Sequence, residues 1–288
     1  MRSLLRAALL LVAIAAPAAL PATAQTVDTS RLVVAGGALT EIVYLLGAED
    51  RIVAVDTTSL YPAAVDDLPK VGYLRALSAE GVLSLRPTAV LATDDAGPPA
   101  VIDQIESAGV PVVVVPDEPT IDGIALKVEQ VAETLGLAGE GQALIEGIER
   151  DMAALAAETA ATAERPGVMF LLGLGRGAPL AAGEGTAADA IIALAGGRNV
   201  LTGFEGYKPL SVEAAVAAAP DVILMMSQTV EEAGGPEAVL ALDQLRLTPA
   251  AREGRLVAMD GLLLLGFGPR TPEAARTLFV ALHPDRES

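Results

Sequence analysis

A tyrosine and an arginine two residues apart, Tyr73 and Arg75, are the side chains of this sequence best suited to holding a metal. A phenol ionises near pH 10, so a phenolate persists at neutral pH only beside a cation or a metal charge, and Arg75 could be that cation. Phenolate oxygen can ligate Fe(III), and tyrosine is among the protein ligands of haem iron. The plainer alternative is a half-buried loop tyrosine. Tyr207 and Lys208 stand in a similar setting, since Gly72 precedes Tyr73 and Gly206 precedes Tyr207. They could face a ligand from the opposite side, with Lys208 meeting a carboxylate, or simply decorate the surface. Glu80 and Glu213 each follow a serine by two residues. One reading is a first-turn carboxylate favoured by the helix dipole behind a Ser78 or Ser211 N-cap, an imperfect capping box because the spacing is Ser-x-Glu. The other is a pair of exposed carboxylates that dock onto basic sockets of a two-fold symmetric partner.

Other chemistries are poorly supplied. His283 is the only histidine and falls in a tail expected to fray, which excludes a histidine-based triad or metal cage. The absence of cysteine removes disulfides, thiolate metal sites and cysteine nucleophiles. Gly173-Leu174-Gly175-Arg176-Gly177 lacks the spacing of a phosphate loop or a dinucleotide fingerprint. Asp94-Asp95, ahead of Gly97-Pro98-Pro99, reads as a solvated loop. These features point away from an enzyme.

The elements that must position these groups repeat. Leu77-Ser78-Ala79-Glu80-Gly81-Val82-Leu83 runs on to Arg86-Pro87-Thr88-Ala89-Val90-Leu91. An offset of 133 residues takes Ser78 to Ser211, Glu80 to Glu213 and Pro87 to Pro220 without a gap. Each copy reads as a serine cap, a short helix, a proline and a buried strand. Two copies of one unit imply two similar lobes with a cleft between them. Continuous apolar strands at 31–35, 52–55, 90–92 and 110–115 alternate with helices, the pattern of a parallel sheet covered on both faces. Strands are likewise expected at 168–172, 222–226 and 256–259, and a final helix at 271–282. From residue 140 to about 163 the apolar positions Leu144, Ile148, Met152, Leu155 and Ala156 keep helical spacing. Such a helix would span roughly 36 Å, a strut joining the lobes rather than an element inside either one.

Residues 1–24 are expected to lie outside the fold. Arg2 and Arg6, the apolar stretch 7–19 and Ala22-Thr23-Ala24 form a signal peptide cleaved after Ala24. The resulting division is a signal peptide over 1–24, an N-terminal α/β lobe over 25–139, a linking helix over 140–164 and a C-terminal α/β lobe over 165–288. Without Arg2 and Arg6, 17 basic residues face 37 acidic ones, a formal charge of −20. That surface repels phosphates, so nucleic acid is excluded as a partner.

Three segments together resemble the periplasmic haem-binding proteins of bacterial haem ABC importers. They are Gly36-Gly37-Ala38-Leu39-Thr40-Glu41 through Gly47, Asp56-Thr57-Thr58-Ser59-Leu60-Tyr61-Pro62, and Val71-Gly72-Tyr73-Leu74-Arg75 through Gly81. Gly185-Thr186-Ala187-Ala188-Asp189 and Gly206-Tyr207-Lys208-Pro209-Leu210-Ser211 extend the resemblance over the mature chain. It implies a class III substrate-binding fold: two Rossmann-like α/β lobes with parallel sheets, joined by one long backbone helix. It implies haem b as transported ligand, its iron held by Tyr73 and the phenolate supported by Arg75. It also implies a monomer that docks through Glu80 and Glu213 on an inner-membrane permease and ATPase, supplied by an outer-membrane haem receptor. The sequence departs from the pattern in having no histidine for a second iron ligand and Gln228 where a basic residue is expected. Arg176 or Lys208 is then the expected second-lobe anchor, with Tyr207 beside it. The same fold also carries ferric siderophores and cobalamin, for which cationic or tryptophan side chains are scarce here.

Overall fold

The computed structural model describes residues 27–174 and 178–284. The first lobe contains strands β1 (Leu32–Ala35), β2 (Ile52–Val55), β3 (Gly72–Tyr73), β4 (Ala76–Leu77), β5 (Ala89–Thr93) and β6 (Val112–Val115). Its helices are α1 (Gly37–Leu45), α2 (Ala79–Ser84), α3 (Pro99–Ser107) and α4 (Ile121–Leu135). Four strands form an all-parallel sheet in the order β2-β1-β5-β6, while β3 and β4 make a separate two-residue-per-strand hairpin. Both β1 and β5 are buried along their whole length, as the unbroken apolar runs require.

Helix α5 (Ala138–Ala160), at 23 residues roughly 34 Å long, joins this lobe to the second. A left-handed Gly136 ends α4 and lets the chain reverse. A Cβ on Gly141 would lie 2.4 Å from Ala132 Cβ, so only glycine allows α5 to press this closely on α4. The second lobe holds β7 (Gly167–Gly173), β8 (Leu180–Ala182), β9 (Arg198–Asn199), β10 (Tyr207–Pro209), β11 (Val222–Met226) and β12 (Leu256–Met259). Its helices are α6 (Ala187–Leu194), α7 (Val212–Ala218), α8 (Ser227–Glu232), α9 (Pro236–Leu240), α10 (Pro249–Arg252), α11 (Gly261–Leu265) and α12 (Thr271–Leu282). The strand order is β10-β8-β7-β11-β12, with β9 also paired to β7. Strands β7, β11 and β12 are parallel, as expected, and antiparallel pairing enters this sheet only through β8. Strand β8 runs antiparallel to both β7 and β10, because the short connection from β7 leaves no room for a crossover helix.

The repeat is reproduced in three dimensions. Ser78 Oγ accepts from Gly81 N at 3.2 Å, and Ser211 Oγ accepts from Ala214 N at 3.1 Å. Each helix then ends in a non-glycine residue of positive φ before the proline, Arg86 at 49° and Ala219 at 44°. The strands that follow, β5 and β11, begin and end 133 residues apart.

The lobes share one continuous apolar cluster that includes Leu32 and Leu91 from the first, Phe170 and Leu278 from the second, and Met152 and Leu155 of α5 between them. They also meet directly at the start of α1. A Cβ on Gly37 would lie 2.5 Å from Leu262 Cδ1 and 2.7 Å from the Thr58 carbonyl oxygen, and one on Gly268 would lie 3.2 Å from Ala38 Cβ. Gly37→Ala is therefore expected to cost about 1–3 kcal/mol in urea unfolding. Adding Leu262→Ala should relieve only part of that loss, because the Thr58 carbonyl stays in place.

One further polar contact crosses the same seam. Arg270, just before α12, donates from Nε and Nη2 to the two oxygens of Glu41 in α1, at 3.0 and 2.5 Å. Glu41 is buried and Arg270 partly so, and the guanidinium carbon lies 3.7 Å from the ring centroid of Tyr61. Burial pushes the Glu41 carboxyl above its ordinary pKa, outweighing the pull of Arg270. On the outer side, Arg276 of α12 makes a two-pronged pair with Glu158 of α5, at 2.9 and 3.0 Å.

The tail is not frayed at His283. Its ring is buried against Phe279 with centroids 4.7 Å apart. Nδ1 lies 2.9 Å from the Phe279 carbonyl oxygen and Nε2 3.3 Å from that of Glu164. The final helix therefore ends packed on the exit from α5, beside a cavity of about 360 Å³ distinct from the cleft.

Candidate functional site

In an open parallel sheet the loops beyond the strand C-termini diverge where the strand order reverses, and ligands collect there. In the first lobe that point lies between β1 and β5. Gly36, directly after β1, has φ 133°, and a Cβ there would lie 3.0 Å from Thr93 Cγ2 at the end of β5. Buried Asp56, just after β2, organises the neighbouring loop. Its Oδ1 accepts from Gly36 N and Ser59 Oγ, and its Oδ2 from Thr58 N and Oγ1, at 2.6 to 3.0 Å. These loops face the ends of β11 and β12 across a cavity of about 590 Å³. Tyr73, Leu74 and Arg75 line it from the first lobe, and Met226, Leu262 and Leu265 from the second. Its size falls in the range of about 300–1,000 Å³ usual for small-molecule sites, and its walls are mainly apolar with a few polar groups.

Tyr73 and Arg75 sit on the β3–β4 hairpin. Gly72 at φ 103° starts it, and three backbone bonds pin it: Thr57 N to Gly72 O, Gly97 N to Leu74 O and Leu77 N to Gly97 O, at 2.8 to 3.0 Å. Leu74 is buried beneath the turn, leaving Tyr73 at 45% exposure facing the cleft. Arg75 Nη1 donates to Tyr73 Oη at 3.0 Å. The hairpin thus brings the two expected side chains into contact.

The expected solvated loop at Asp94-Asp95 is corrected for Asp95. Its carboxylate accepts from Arg75 Nη2 at 2.5 Å and from Thr93 Oγ1 at 2.7 Å, and Asp95 also lines the cavity. The sequence held no local signal for this contact, because the two partners are 20 residues apart on different loops. Arg75 remains a cation: burial works against its charge, but the Asp95 carboxylate more than compensates.

The second-lobe candidates are less convergent. Neither Tyr207 nor Lys208 lines this cavity. Lys208 Nζ lies 4.9 Å over the Phe204 ring. Burial raises the Tyr207 phenol above its ordinary pKa, while a hydrogen bond with Thr186 and the charge of Arg75 pull it back. Arg75 thus meets Tyr73 through a hydrogen bond and Tyr207 through its charge. Arg176 lies outside the described residues. Gln228 lines the cleft where a basic residue was expected, and its amide is engaged with Asp260 Oδ2 at 3.0 Å and Gly261 N at 3.3 Å.

Glu80 and Glu213 are exposed in the first turns of α2 and α7. The Glu213 carboxyl lies below its usual range, held by its own backbone N–H and the Ser211 hydroxyl. Among the described residues, no three His, Cys, Asp or Glu side chains converge into a metal cage. One phenol backed by one guanidinium is a sparse donor set for a bare ion.

Residues 32–262 match the family model described as periplasmic binding protein. The chain is similar to the structure of the periplasmic heme-binding protein BhuT in complex with two hemes, with a TM-score of 0.85 and 45% identity over 88% of this chain and 98% of that one. It is also similar to the periplasmic heme-binding protein RhuT from Roseiflexus sp. RS-1 in apo form, with a TM-score of 0.86 and 40% identity over 89% of this chain and 98% of that one. An uncharacterized ABC transporter substrate-binding lipoprotein, YvrC of Bacillus subtilis, is 25% identical over 254 residues, 85% of this chain and 77% of that one. A vitamin B12-binding protein of Vibrio campbellii is 32% identical over 94 residues, 33% of this chain and 34% of that one.

Proposed function

Because the chain belongs to the periplasmic binding protein family, we propose that it is the haem-carrying component of an ABC importer, a binding protein and not an enzyme. The Tyr73–Arg75 pair at an apolar inter-lobe cavity carries this reading. Burial of the porphyrin faces supplies most of the affinity, and the few polar groups set orientation. Tyr73 would hold the iron through its phenolate oxygen, the phenol proton passing to solvent, and Arg75 Nη1 would support the negative charge. Tyr207, Lys208 and Arg176 are our candidates for second-lobe contacts with the polar edge of the ligand. We assign residues 1–24 to an export signal, 25–139 and 165–288 to the two lobes and 140–164 to the link, and place the mature chain in the periplasm, downstream of an outer-membrane receptor.

Visible-spectrum titrations with hemin and, separately, cyanocobalamin test the cargo. Saturation by hemin with a high-spin ferric tyrosinate spectrum, and none by cobalamin, is the expected result. Saturation by cobalamin alone would move the cargo to a corrinoid, the reading that the vitamin B12-binding relatives favour.

Delivery rests on Glu80 and Glu213, one exposed carboxylate per lobe at equivalent positions. Charge complementarity mainly sets docking rate and register. Reversing both (Glu80→Arg with Glu213→Arg) is expected to leave hemin affinity unchanged and to cut carrier-stimulated ATPase activity of the reconstituted permease by about tenfold or more. Stimulation at the wild-type level would place the docking surface elsewhere.

A further inference from the structure

Arg75 presents a problem that Tyr73 alone does not solve. Its side chain is 62% exposed, on a two-residue turn, and a long exposed arginine samples many rotamers. A guanidinium that wanders would support a phenolate only part of the time. The structure ties it down from behind. Arg75 Nη1 reaches Tyr73 Oη at 3.0 Å while Nη2 reaches Asp95 Oδ2 at 2.5 Å. The other Asp95 oxygen, Oδ1, accepts from Thr93 Oγ1 at 2.7 Å. Thr93 is the last residue of β5 and is buried. The loop bearing Asp95 is itself fixed, with Asp94 N bonded to Val115 O, Ala96 N to Thr93 O, and Gly97 bonded to the hairpin through both its N–H and its carbonyl, all at 2.8 to 3.0 Å.

We propose that Asp95 is a positioning residue, which anchored on Thr93 holds the Arg75 guanidinium in place against the Tyr73 hydroxyl. The chain of contacts runs from the sheet through Thr93, Asp95 and Arg75 to the iron-facing oxygen, so rigidity of β5 is passed to a group on an exposed turn. This rests on the haem reading above. Two effects of Asp95 oppose each other: its geometry orders Arg75, whereas its charge partly neutralises it. Positioning wins if removing the carboxylate weakens haem retention, and counter-charge wins if removal strengthens it.

The test measures hemin release to excess apomyoglobin by Asp95→Ala, Asp95→Asn, Arg75→Ala and the Asp95→Ala/Arg75→Ala double variant. Asp95→Ala should speed release by about tenfold, the size expected when a rotamer-rich side chain must be ordered anew. Asp95→Asn keeps an oxygen for Arg75 and an amide for the Thr93 hydroxyl, and should stay within about twofold of wild type, also guarding against a folding defect in the alanine variant. In the Arg75→Ala background, Asp95→Ala should have no further effect. Additive effects, or slower release in both Asp95 variants, would overturn the proposal.

Nitrogen-15 NMR of the arginine Nη groups in the ligand-free protein gives a second readout. Hindered rotation of the Arg75 guanidinium is expected in wild type and lost in Asp95→Ala; free rotation in both would also overturn it. Should wild type bind no hemin, the haem reading falls separately, and the ligand-free comparison still decides whether Asp95 orders Arg75.

Discussion

Tyr73→Ala is expected to raise the hemin Kd by at least about a hundredfold and to erase the tyrosinate-to-iron charge-transfer band. The magnitude follows from what the residue supplies. Loss of an outer-shell partner typically costs about 10- to 100-fold in metal affinity, and Tyr73 is assigned as the ligand itself. Apolar burial of the porphyrin survives the substitution, so weak binding with an altered spectrum is expected rather than none. Tyr73→Phe separates the two contributions by restoring the ring without its oxygen. It should recover packing, measurable as a partial return of affinity, without recovering the band. A variant spectrum identical to wild type would move the iron ligand elsewhere, and Tyr207, within electrostatic reach of Arg75, would be the next position to substitute.

The second large effect is on stability. Arg270→Ala strands the Glu41 carboxylate, which is only 3% exposed, and breaking a buried pair from one side costs about 3 kcal/mol or more. The pH dependence has a definite sign. Burial holds the Glu41 pKa above its unfolded value, so the folded chain takes up a proton more readily than the unfolded chain. The favourable contribution is fully present below the unfolded pKa and is lost as pH rises through the folded one. Without Arg270 the folded value moves higher still, because both contributions that lowered it are gone. The deficit of Arg270→Ala against wild type should therefore be largest near neutral pH and should shrink on acidification towards pH 5, measured by urea unfolding. Glu41→Leu combined with Arg270→Met should recover most of the loss, since an apolar pair of similar volume often replaces a buried ion pair at little cost. A deficit that grows with acid would contradict the assignment.

Much of this architecture was legible because it is locally encoded. The serine caps, Pro87 and Pro220, and the strands after them lie at one fixed offset, so a single supersecondary unit could be read twice. The long helix was legible from its apolar period and emerges at Ala138–Ala160, slightly earlier than the expected 140–163. Tyr73 and Arg75 were legible as a pair because two residues of one hairpin stay neighbours whatever the rest of the chain does. Contacts made by folding alone were not. Glu41 and Arg270 are 229 residues apart, and neither position differs in type from an ordinary surface charge. Asp95 looked like half of a solvated acidic pair because its partner is supplied by a different loop. His283 looked like tail because no sequence pattern announces that the exit from α5 will receive it. The antiparallel β8 was missed because three apolar residues carry no direction of their own.

The contact at Gly37, where the start of α1 has no room for a methyl group beside Leu262, has a consequence for traffic through the importer. On the function proposed above, a seam packed this tightly would hold Glu80 and Glu213 at nearly the same separation with and without ligand. An empty carrier would then occupy the permease almost as well as a loaded one, and would act as a competitive inhibitor of import. Flux would peak at an intermediate abundance of carrier and fall when unloaded copies outnumber the haem available.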